Sequence, residues 1–440
     1  MSKIQAIRGM NDVLPEESYQ WEWIESAIRE WLAMFGYQNI RTPILENTDL
    51  FVRSIGTATD IVEKEMYTFV DSLNGDSLTL RPEGTASVVR AAIEHNMTYG
   101  KARRLYYCGP MFRHERPQKG RFRQFYQVGV EALGFEGPDI DAEHVLMVAE
   151  LWRKLGISSN GVRLEVNSLG SKDDRKKYHE SLVAFLKGCE QSLDEDSRRR
   201  ISTNPLRVLD SKNLQTQEIV ATAPKLPNFL SDESVEKMER FKQFLDRSGI
   251  PYVVNPNLVR GLDYYNDIVY EWKTEFLGAQ GTICAGGRYD VLAEQIGGKP
   301  IPACGFALGL ERVLATLISC EIEIPKENPD VYLVSSDKTA QLYAWDVAKV
   351  LRDSNLKVVL HCGGGALKSQ MKKADNSGAK FAIIIGDEEM AKKTISLKSL
   401  RLAGIKGASQ QQELSVHDAI KRIYEDGALT KITKSGMLGN

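Results

Sequence analysis

Arg113, Arg116, Lys119, Arg121 and Arg123 crowd one short polar stretch of the run RRLYYCGPMFRHERPQKGRFRQFYQVGVEALG (103–134), where Glu115 is the only acid between them. Guanidinium forks match the paired oxygens of phosphates, and a carboxylate matches an ammonium or an imidazole N–H. Apolar-rich runs, 105–112 and 122–133, flank the stretch, and Pro117 and Gly120 punctuate it, so the pattern predicts a β-hairpin with a long loop. Side chains two apart on a strand share a face. Arg121, Arg123, Gln127 and Glu131 then line one side of the second strand, and Phe122, Tyr126, Val128 and Val130 the other. At ~3.3 Å per residue, arginines stand at one end of this track and a carboxylate roughly 25 Å away at the other. Two readings stay open: a solvated outer sheet face, or a site for one elongated ligand, polyphosphate at the loop end and a cationic or N–H-bearing group at the deep end.

Other candidates lie in four further runs. In LTLRPEGTASVVRAAI (78–93) a strand turns at Pro82–Gly84 into a helix opening near Thr85. Glu83 in that turn is either a helix-capping carboxylate or a second carboxylate facing the cationic part of a ligand. NLVRGLDYYNDIVYEW (257–272) brings Arg260, Tyr264 and Tyr265 next to Gly261, either strand-end polarity or a site. AGGRYDVLAEQIGG (285–298) carries Tyr289; it lacks the G-x-G-x-x-G spacing and is by itself a weak phosphate-loop signal. IPACGFALGLERVLATL (301–317) reads as a strand running into a helix with Arg312 in its first turns, either salt-bridged or functional.

The elements that must position these groups are legible in outline. Residues 15–35 carry apolar residues at helical spacing and stop at Gly36; an extended run, 37–45, follows, broken by Pro43 as at a sheet edge. The span 171–249 is charge-rich (KDDRKK, DEDSRRR) and amphipathic at Val235, Met238, Phe241 and Leu245, predicting a helical insertion. Pro325 and Pro329 mark a linker at 320–330. Beyond it, β-α alternation (331–334, 339–352, 357–360, 366–377, 381–385, 395–397, 416–424) predicts a small α/β domain with a largely parallel sheet, HCGGG (361–365) as a βα turn and a loosely ordered tail after Asp426.

With 440 residues the chain exceeds what one core usually supports and divides into about three domains. A formal charge of -2 excludes a globally basic nucleic-acid coat, so any nucleic-acid binding rests on local patches. Six scattered cysteines without a C-x-x-C pair read as reduced, mostly buried thiols of a cytosolic protein, and six histidines without H-E-x-x-H spacing give no zinc site. No apolar run approaches the 18 residues of a membrane span, and the first residues hold no signal-like apolar core.

Together these runs resemble the class II aminoacyl-tRNA synthetases, and within them the histidyl-tRNA synthetase family, over nearly the whole chain. GPMFRHERPQKGRFRQFYQ (109–127) is similar to the second class signature, GFALGLER (305–312) to the third, and GYQNIRTPILE (36–46) to the first, which in this class builds the dimer interface. LVRGLDYYN (258–266) and AGGRYD (285–290) resemble histidine-specific runs; Val291 departs from the family's usual glycine. The resemblance implies a mixed α/β fold: a catalytic domain with a mostly antiparallel sheet flanked by helices (1–170 and 250–325), the insertion (171–249), and a C-terminal α/β anticodon-binding domain with the tail (326–440).

It also implies a cytoplasmic homodimer that joins L-histidine to tRNA(His) at the expense of ATP, with Mg²⁺ arriving on ATP rather than in a protein cage. The family match assigns Arg113 to the α-phosphate, Arg121 and Arg312 to the outer phosphates and adenine, and Arg260 to charge developing during adenylation. It assigns Glu83, Thr85 and Gln127 to the amino group of histidine, Glu131 and Tyr264 to the imidazole, Tyr265 and Tyr289 to the pocket wall, and Arg116 and Gln118 to the tRNA acceptor end. Pairing both ring nitrogens makes a separate editing domain unnecessary. The alternatives are a non-catalytic paralogue acting as a regulatory or tRNA-sensing subunit, and a ligase that adenylates another carboxylate without tRNA. The first typically lacks the C-terminal domain and catalytic arginines, which here are present.

Overall fold

Pro15 opens the first helix, Pro15–Met34, where a missing N–H goes unnoticed because that position has no intrahelical partner. Ile24, Ile28, Trp31 and Leu32 form its buried face, and Gly36, at φ +74°, ends it. The extended run that follows splits around Pro43: β1 (Gln38–Asn39) joins one sheet and β2 (Leu45–Asn47) another. The computed structural model describes residues 3–436 apart from 58, 119, 160, 204, 212, 279–280 and 402–410, so Lys119 lies outside the described residues.

The chain divides into two units, Met1–Pro325 and Lys326–Asn440. In the first, β3 (Tyr67–Val70) and β4 (Ser77–Leu80) complete a small antiparallel sheet ordered β2-β4-β3. The main sheet adds β5 (Arg103–Phe112), β6 (Gln124–Leu133), β7 (Arg163–Ser168), β8 (Tyr252–Val254), β9 (Asn266–Lys273), β10 (Thr282–Arg288) and β11 (Ala303–Gly309). Its order is β1-β5-β6-β11-β10-β9-β7-β8, and only the edge pairs β1/β5 and β7/β8 run parallel. The mostly antiparallel sheet flanked by helices is therefore as expected.

The two faces of the sheet bury different things. Val128 and Val130 of β6 join Trp31, Val148, Phe241 and Leu314 in a core beneath the helices Pro15–Met34, Asp139–Lys154, Asp232–Arg247 and Leu310–Ser319. On the other face Leu105, Tyr107, Tyr264, Tyr265 and Tyr289 pack with Val88 of the helix Thr85–Glu94 and with Leu182 and Val208 of the inserted segment. Gln127 and Glu131, alternating with the apolar residues of β6, fall on this second face.

The inserted segment starts with a capping box. Ser171 accepts from the Asp174 N–H while Asp174 accepts from the Ser171 N–H, opening the helix Lys172–Gly188. Asp174 also accepts from the Ser231 N–H at 3.1 Å and the Ser234 hydroxyl at 2.7 Å. Burial pushes this carboxyl up, but these hydrogen bonds outweigh it and hold it down at about 2. One carboxylate thus ties the start of the segment to the start of its last helix. The helix Asp232–Arg247 puts Met238, Phe241 and Leu245 into the sheet core and leaves Val235 at the surface.

In the second unit β12 (Val331–Ser335), β13 (Val358–Leu360) and β14 (Phe381–Ile385) are parallel, as expected, but β15 (Ile395–Ser399) and β16 (Gln412–Leu414) are antiparallel, giving the order β13-β12-β14-β15-β16. Residues 386–394, between Ile385 and Ile395, are too few for a parallel crossover, which takes about a dozen residues. The last helix, Val416–Gly436, runs past the end of its apolar periodicity, so the backbone beyond Asp426 is helical where loose order was expected. The thiols also differ from expectation: Cys284 and Cys304 are buried, but Cys108 and Cys362 are exposed, the first because strand alternation points it away from buried Tyr107.

Candidate active site

Three adjacent strands, β6, β11 and β10, form the floor of a cleft of about 180 Å³. Its walls are the β5–β6 loop, the turn before the helix Thr85–Glu94, and the loop 255–265 between β8 and β9. Glu83, Thr85, Arg113, Arg121, Gln127, Arg260, Tyr264, Tyr265 and Arg312 all line it. The solvated-face reading of β6 is thereby set aside.

At the closed end, Glu131 and Tyr289 are not among the lining residues: Glu131 is 1% exposed and lies behind Thr85, which lines the cleft. One carboxylate oxygen accepts from the Thr85 hydroxyl at 2.8 Å, and the other from the Tyr289 hydroxyl. Burial pushes the carboxyl up to about 8, against the lowering effect of those two hydroxyls. Space for the group exists because its neighbours have no side chain. A Cβ on Gly305 would stand 2.0 Å from a Glu131 carboxylate oxygen, and one on Gly129 2.0 Å from the Tyr107 ring. Tyr264, Tyr265 and Tyr289 stack around this end with ring centroids 4.7–6.2 Å apart.

Glu83 stands in the cleft lining, and its carboxylate accepts from the Thr85 N–H at 2.6 Å and the Ala86 N–H at 3.0 Å, capping the helix it precedes. Burial raises its pKa; those N–H groups and Arg113 oppose the rise. Gln127 Oε1 is buried and has no hydrogen-bond partner among the described residues, an acceptor directed at whatever occupies the cleft.

The other end is cationic. Arg113 donates to the Pro82 carbonyl at 2.9 Å and lies 5.4 Å from the Phe125 ring centroid. Arg312 donates to the Gly120 carbonyl at 3.0 Å and the Thr282 carbonyl at 2.7 Å. Burial, with Arg113 and Arg121 close by, lowers Arg312 to about 10, as like charges gathered in one place require. Arg260 pairs with Glu271 and lies 5.6 Å from the Tyr265 ring centroid. Burial disfavours its charge, but Glu271 together with Tyr265 and Tyr264 more than offsets that, and the guanidinium is held above its ordinary value.

The ends are closer than the strand track suggested. β6 starts at Gln124, so Arg121 and Arg123 belong to the loop and not to the ladder. Gly309 pairs with Gln127, and Arg312, three residues on, holds Gly120; the loop therefore folds back over the strand and delivers Arg121 to the cleft beside Gln127. Arg123 is not among the lining residues and donates instead to the Glu115 carbonyl at 3.1 Å. Arg116 and Gln118 stay exposed on the loop. Val291 sits at φ -83°, an ordinary helical value, so this backbone has no need of glycine there.

Glu115, Glu311 and Tyr107 of the cleft lining, and Glu271 of the groove beside it, are not among the sequence candidates. Glu115 is 7% exposed and pairs with Arg121. Glu271 takes Arg260, Lys273 and the Thr282 hydroxyl. Glu311 accepts from the Tyr126 N–H at 2.8 Å, and burial pushes it up to about 7. Tyr107 fills the gap above Gly84 and Gly129. A signal existed for Glu271, a carboxylate within the buried run NDIVYEWK. An open groove of about 1060 Å³, lined also by Glu271, adjoins the cleft and shares Arg121 and Thr282 with it.

A long hairpin on an antiparallel sheet, with an arginine at the following strand–helix junction, defines the catalytic domain of a class II aminoacyl-tRNA synthetase. The chain belongs to the histidyl-tRNA synthetase family, whose profile matches residues 9–313, and the profile of the anticodon binding domain matches residues 330–426. It is 60% identical to the histidine–tRNA ligase of Nitrosomonas europaea over 400 residues, 91% of this chain and 95% of that one. It is 55% identical to that of Laribacter hongkongensis over 421 residues, 96% and 98% of the two chains. The apo crystal structure of S. aureus histidyl-tRNA synthetase superposes with a TM-score of 0.80 at 37% identity, covering 96% of this chain and all of that one.

Proposed function

We propose that the chain activates L-histidine with ATP to histidyl-adenylate and transfers the histidyl group to the 3′ end of tRNA(His), releasing AMP and diphosphate. The observation that carries this reading is the charge order around one cleft: Thr85 lines it and donates to Glu131, which lies buried behind it with Tyr289, while Arg113, Arg121, Arg260 and Arg312 line the cleft itself. A molecule with an N–H-bearing head and an anionic tail suits both.

Glu131 and Tyr264 take the two imidazole nitrogens, while Gln127, Thr85 and Glu83 take the ammonium; Tyr265 and Tyr289 wall the ring. The histidine carboxylate then faces the α-phosphorus. Its oxygen attacks, the bond to the bridging oxygen breaks, and diphosphate leaves. Arg113 and Arg260 neutralise charge gathering on the α-phosphate oxygens, and Arg121 and Arg312 hold the outer phosphates and the adenine. The protein supplies position and charge rather than covalent chemistry. In the second step the terminal ribose hydroxyl attacks the activated carbonyl and AMP leaves; Arg116 and Gln118 meet the acceptor end, for which the adjoining groove gives room.

Mg²⁺ comes with ATP on the β- and γ-phosphate oxygens. The nearby carboxylates favour this, because Glu115, Glu271 and Glu311 are already engaged by Arg121, by Arg260 with Lys273, and by the Tyr126 N–H. The domains follow the same reading: catalysis in 1–170 and 250–325, an insertion at 171–249 that contacts tRNA, and anticodon recognition in 326–440. No helix among the described residues is long and apolar enough to cross a membrane, and we place the activity in the cytoplasm.

Histidine-dependent ATP–diphosphate exchange, followed by charging of a mixed tRNA pool, tests the assignment. Exchange with histidine alone among the amino acids, and charging of tRNA(His) alone, is the expected result; properly folded protein without exchange would favour the regulatory paralogue. We further propose a homodimer through the first-signature region, where β1 is a sheet edge and Ile4, Ile7, Leu14, Ile44 and Leu45 are exposed. Light scattering should give twice the 49.3 kDa chain mass; a monomer at micromolar concentration refutes this part.

A further inference from the structure

The loop 255–265 carries Arg260, Tyr264 and Tyr265 into the cleft but has no regular structure of its own. Buried main-chain groups must still find partners. For this loop most of the carbonyl partners are side chains from elsewhere. Asn167 Nδ2, on β7, donates to the Leu258 carbonyl at 3.0 Å. Arg207, on the short helical turn Pro205–Asp210, donates to the Gly261 carbonyl at 2.9 Å. Arg175, in the first turn of the helix Lys172–Gly188, donates to the Tyr265 carbonyl at 2.7 Å. Both arginines belong to the inserted segment, and they grip the loop on either side of Tyr264.

Arg175 follows Asp174, the carboxylate that ties the start of the segment to the start of its last helix. Behind the loop lies a second cavity of about 200 Å³, lined by Arg175, His179, Arg207, Asp263 and the reverse side of Arg260 and Tyr265. The loop thus has space to retreat into when the two donors are withdrawn. Arg260 itself touches the sheet through Glu271, a single ion pair that fixes its head but not the chain that carries it.

We infer that Arg175 and Arg207 are positioning residues for adenylation: acting through the main chain of the loop, they set where Arg260 and Tyr264 stand in the cleft. The inserted segment is then part of the catalytic apparatus, and a displacement of it is felt at the α-phosphate and at the imidazole together. This rests on the reading of Arg260 and Tyr264 given above.

The test replaces each arginine in the full-length protein by methionine, which keeps the aliphatic stem and removes the donors. Histidine-dependent exchange is measured with kcat normalised to the sites that form adenylate, so partial unfolding does not enter. R175M and R207M should each lower per-site kcat about tenfold, since displacement by ~1 Å is worth up to 10²-fold. The KM for histidine should rise with it. The KM for ATP should stay within about twofold, because Arg113, Arg121 and Arg312 stand on other elements. A merely structural role would lower the number of active sites and the melting temperature while leaving per-site kcat alone, and that result overturns the proposal.

Two further variants keep the outcomes separate. R260A measures the reading on which the inference rests: wild-type kcat there removes Arg260 and the inference with it, whereas a large loss in R260A beside wild-type kcat in R175M and R207M removes the inference alone. Combining R175M with R260A should lower kcat no more than R260A does, within about twofold, while the rise in histidine KM through Tyr264 persists. Should the methionine variants fail to fold, R175K and R207K retain a charge with a different reach. They should lower per-site kcat by about two- to fivefold; no change in either refutes the inference.

Discussion

Replacing Arg260 by alanine should lower the rate of histidine-dependent ATP–diphosphate exchange by about 10²–10³-fold while leaving the KM for histidine nearly unchanged. The guanidinium pairs with Glu271 and lies against the Tyr265 ring. Its Nη1 makes that pair, whereas its Nε is buried without a hydrogen-bond partner among the described residues, and in the proposed reading it serves as a donor to an α-phosphate oxygen. That oxygen gains charge only as the carboxylate attacks, so the interaction belongs to the transition state and its loss appears in kcat. Gln127 and Glu131 on β6 and Thr85 at the head of its helix stand on other elements, and Tyr264 and Tyr265, which share the loop with Arg260, are packed against Tyr289. The variant should also fold, because Glu271 keeps Lys273 at 3.3 Å and the Thr282 hydroxyl at 3.2 Å when Arg260 is gone. R260K should fall between the two, a single point charge standing in for a planar fork. Exchange at the wild-type rate in R260A would remove this residue from the mechanism.

How far the sequence led depends on the range of each interaction. Gln127 and Glu131 were legible because strand alternation is local, and Arg312 because a strand running into a helix fixes its place within a turn. The family resemblance then named Glu83, Thr85, Arg113, Arg121, Gln127, Arg260, Tyr264, Tyr265 and Arg312, which the cleft collects, but not Glu115, Glu311 or Tyr107. What the pattern could not supply was long-range. That β11 lies between β6 and β10 follows from no local signal, yet it puts Arg312 beside the β5–β6 loop and turns an expected 25 Å track into a compact cleft at ~3.3 Å per residue. Tyr107 looked like any inward strand residue until Gly84 and Gly129 were found beneath its ring. Glu83 was ambiguous for a chemical reason, since a carboxylate before a helix both caps it and remains free to accept from a ligand. The direction of β15 turned on the length of one connection, which periodicity does not weigh.

The same cleft sets up a conflict between stability and function at Glu131, and Glu131→Gln should expose it. With its carboxylate gone, kcat/KM for histidine should fall by about 10³–10⁴-fold, the scale on which sites built around a substrate N–H or O–H reject what cannot complete the pair. The empty protein should respond in the opposite sense. Burial raises Glu131 from its ordinary value to about 8, so the folded chain favours the protonated form. The stability that goes with that proton is fully present at pH values below the ordinary carboxylate range and is lost as pH rises through about 8. Glutamine carries no charge at any of these values, and its amide can still meet the Thr85 and Tyr289 hydroxyls, each of which also accepts. The melting temperature of E131Q relative to wild type should therefore climb between pH 5 and pH 8.5 and then level off. Thermal melts across that range, beside exchange kinetics at one pH, measure both halves. A relative melting temperature independent of pH would show that Glu131 is ionised in the empty cleft, and histidine kcat/KM within about tenfold of wild type would show that the imidazole is recognised elsewhere. A carboxylate held at a cost to the fold, and repaid only when an N–H donor arrives, is what selection for histidine requires of the closed end.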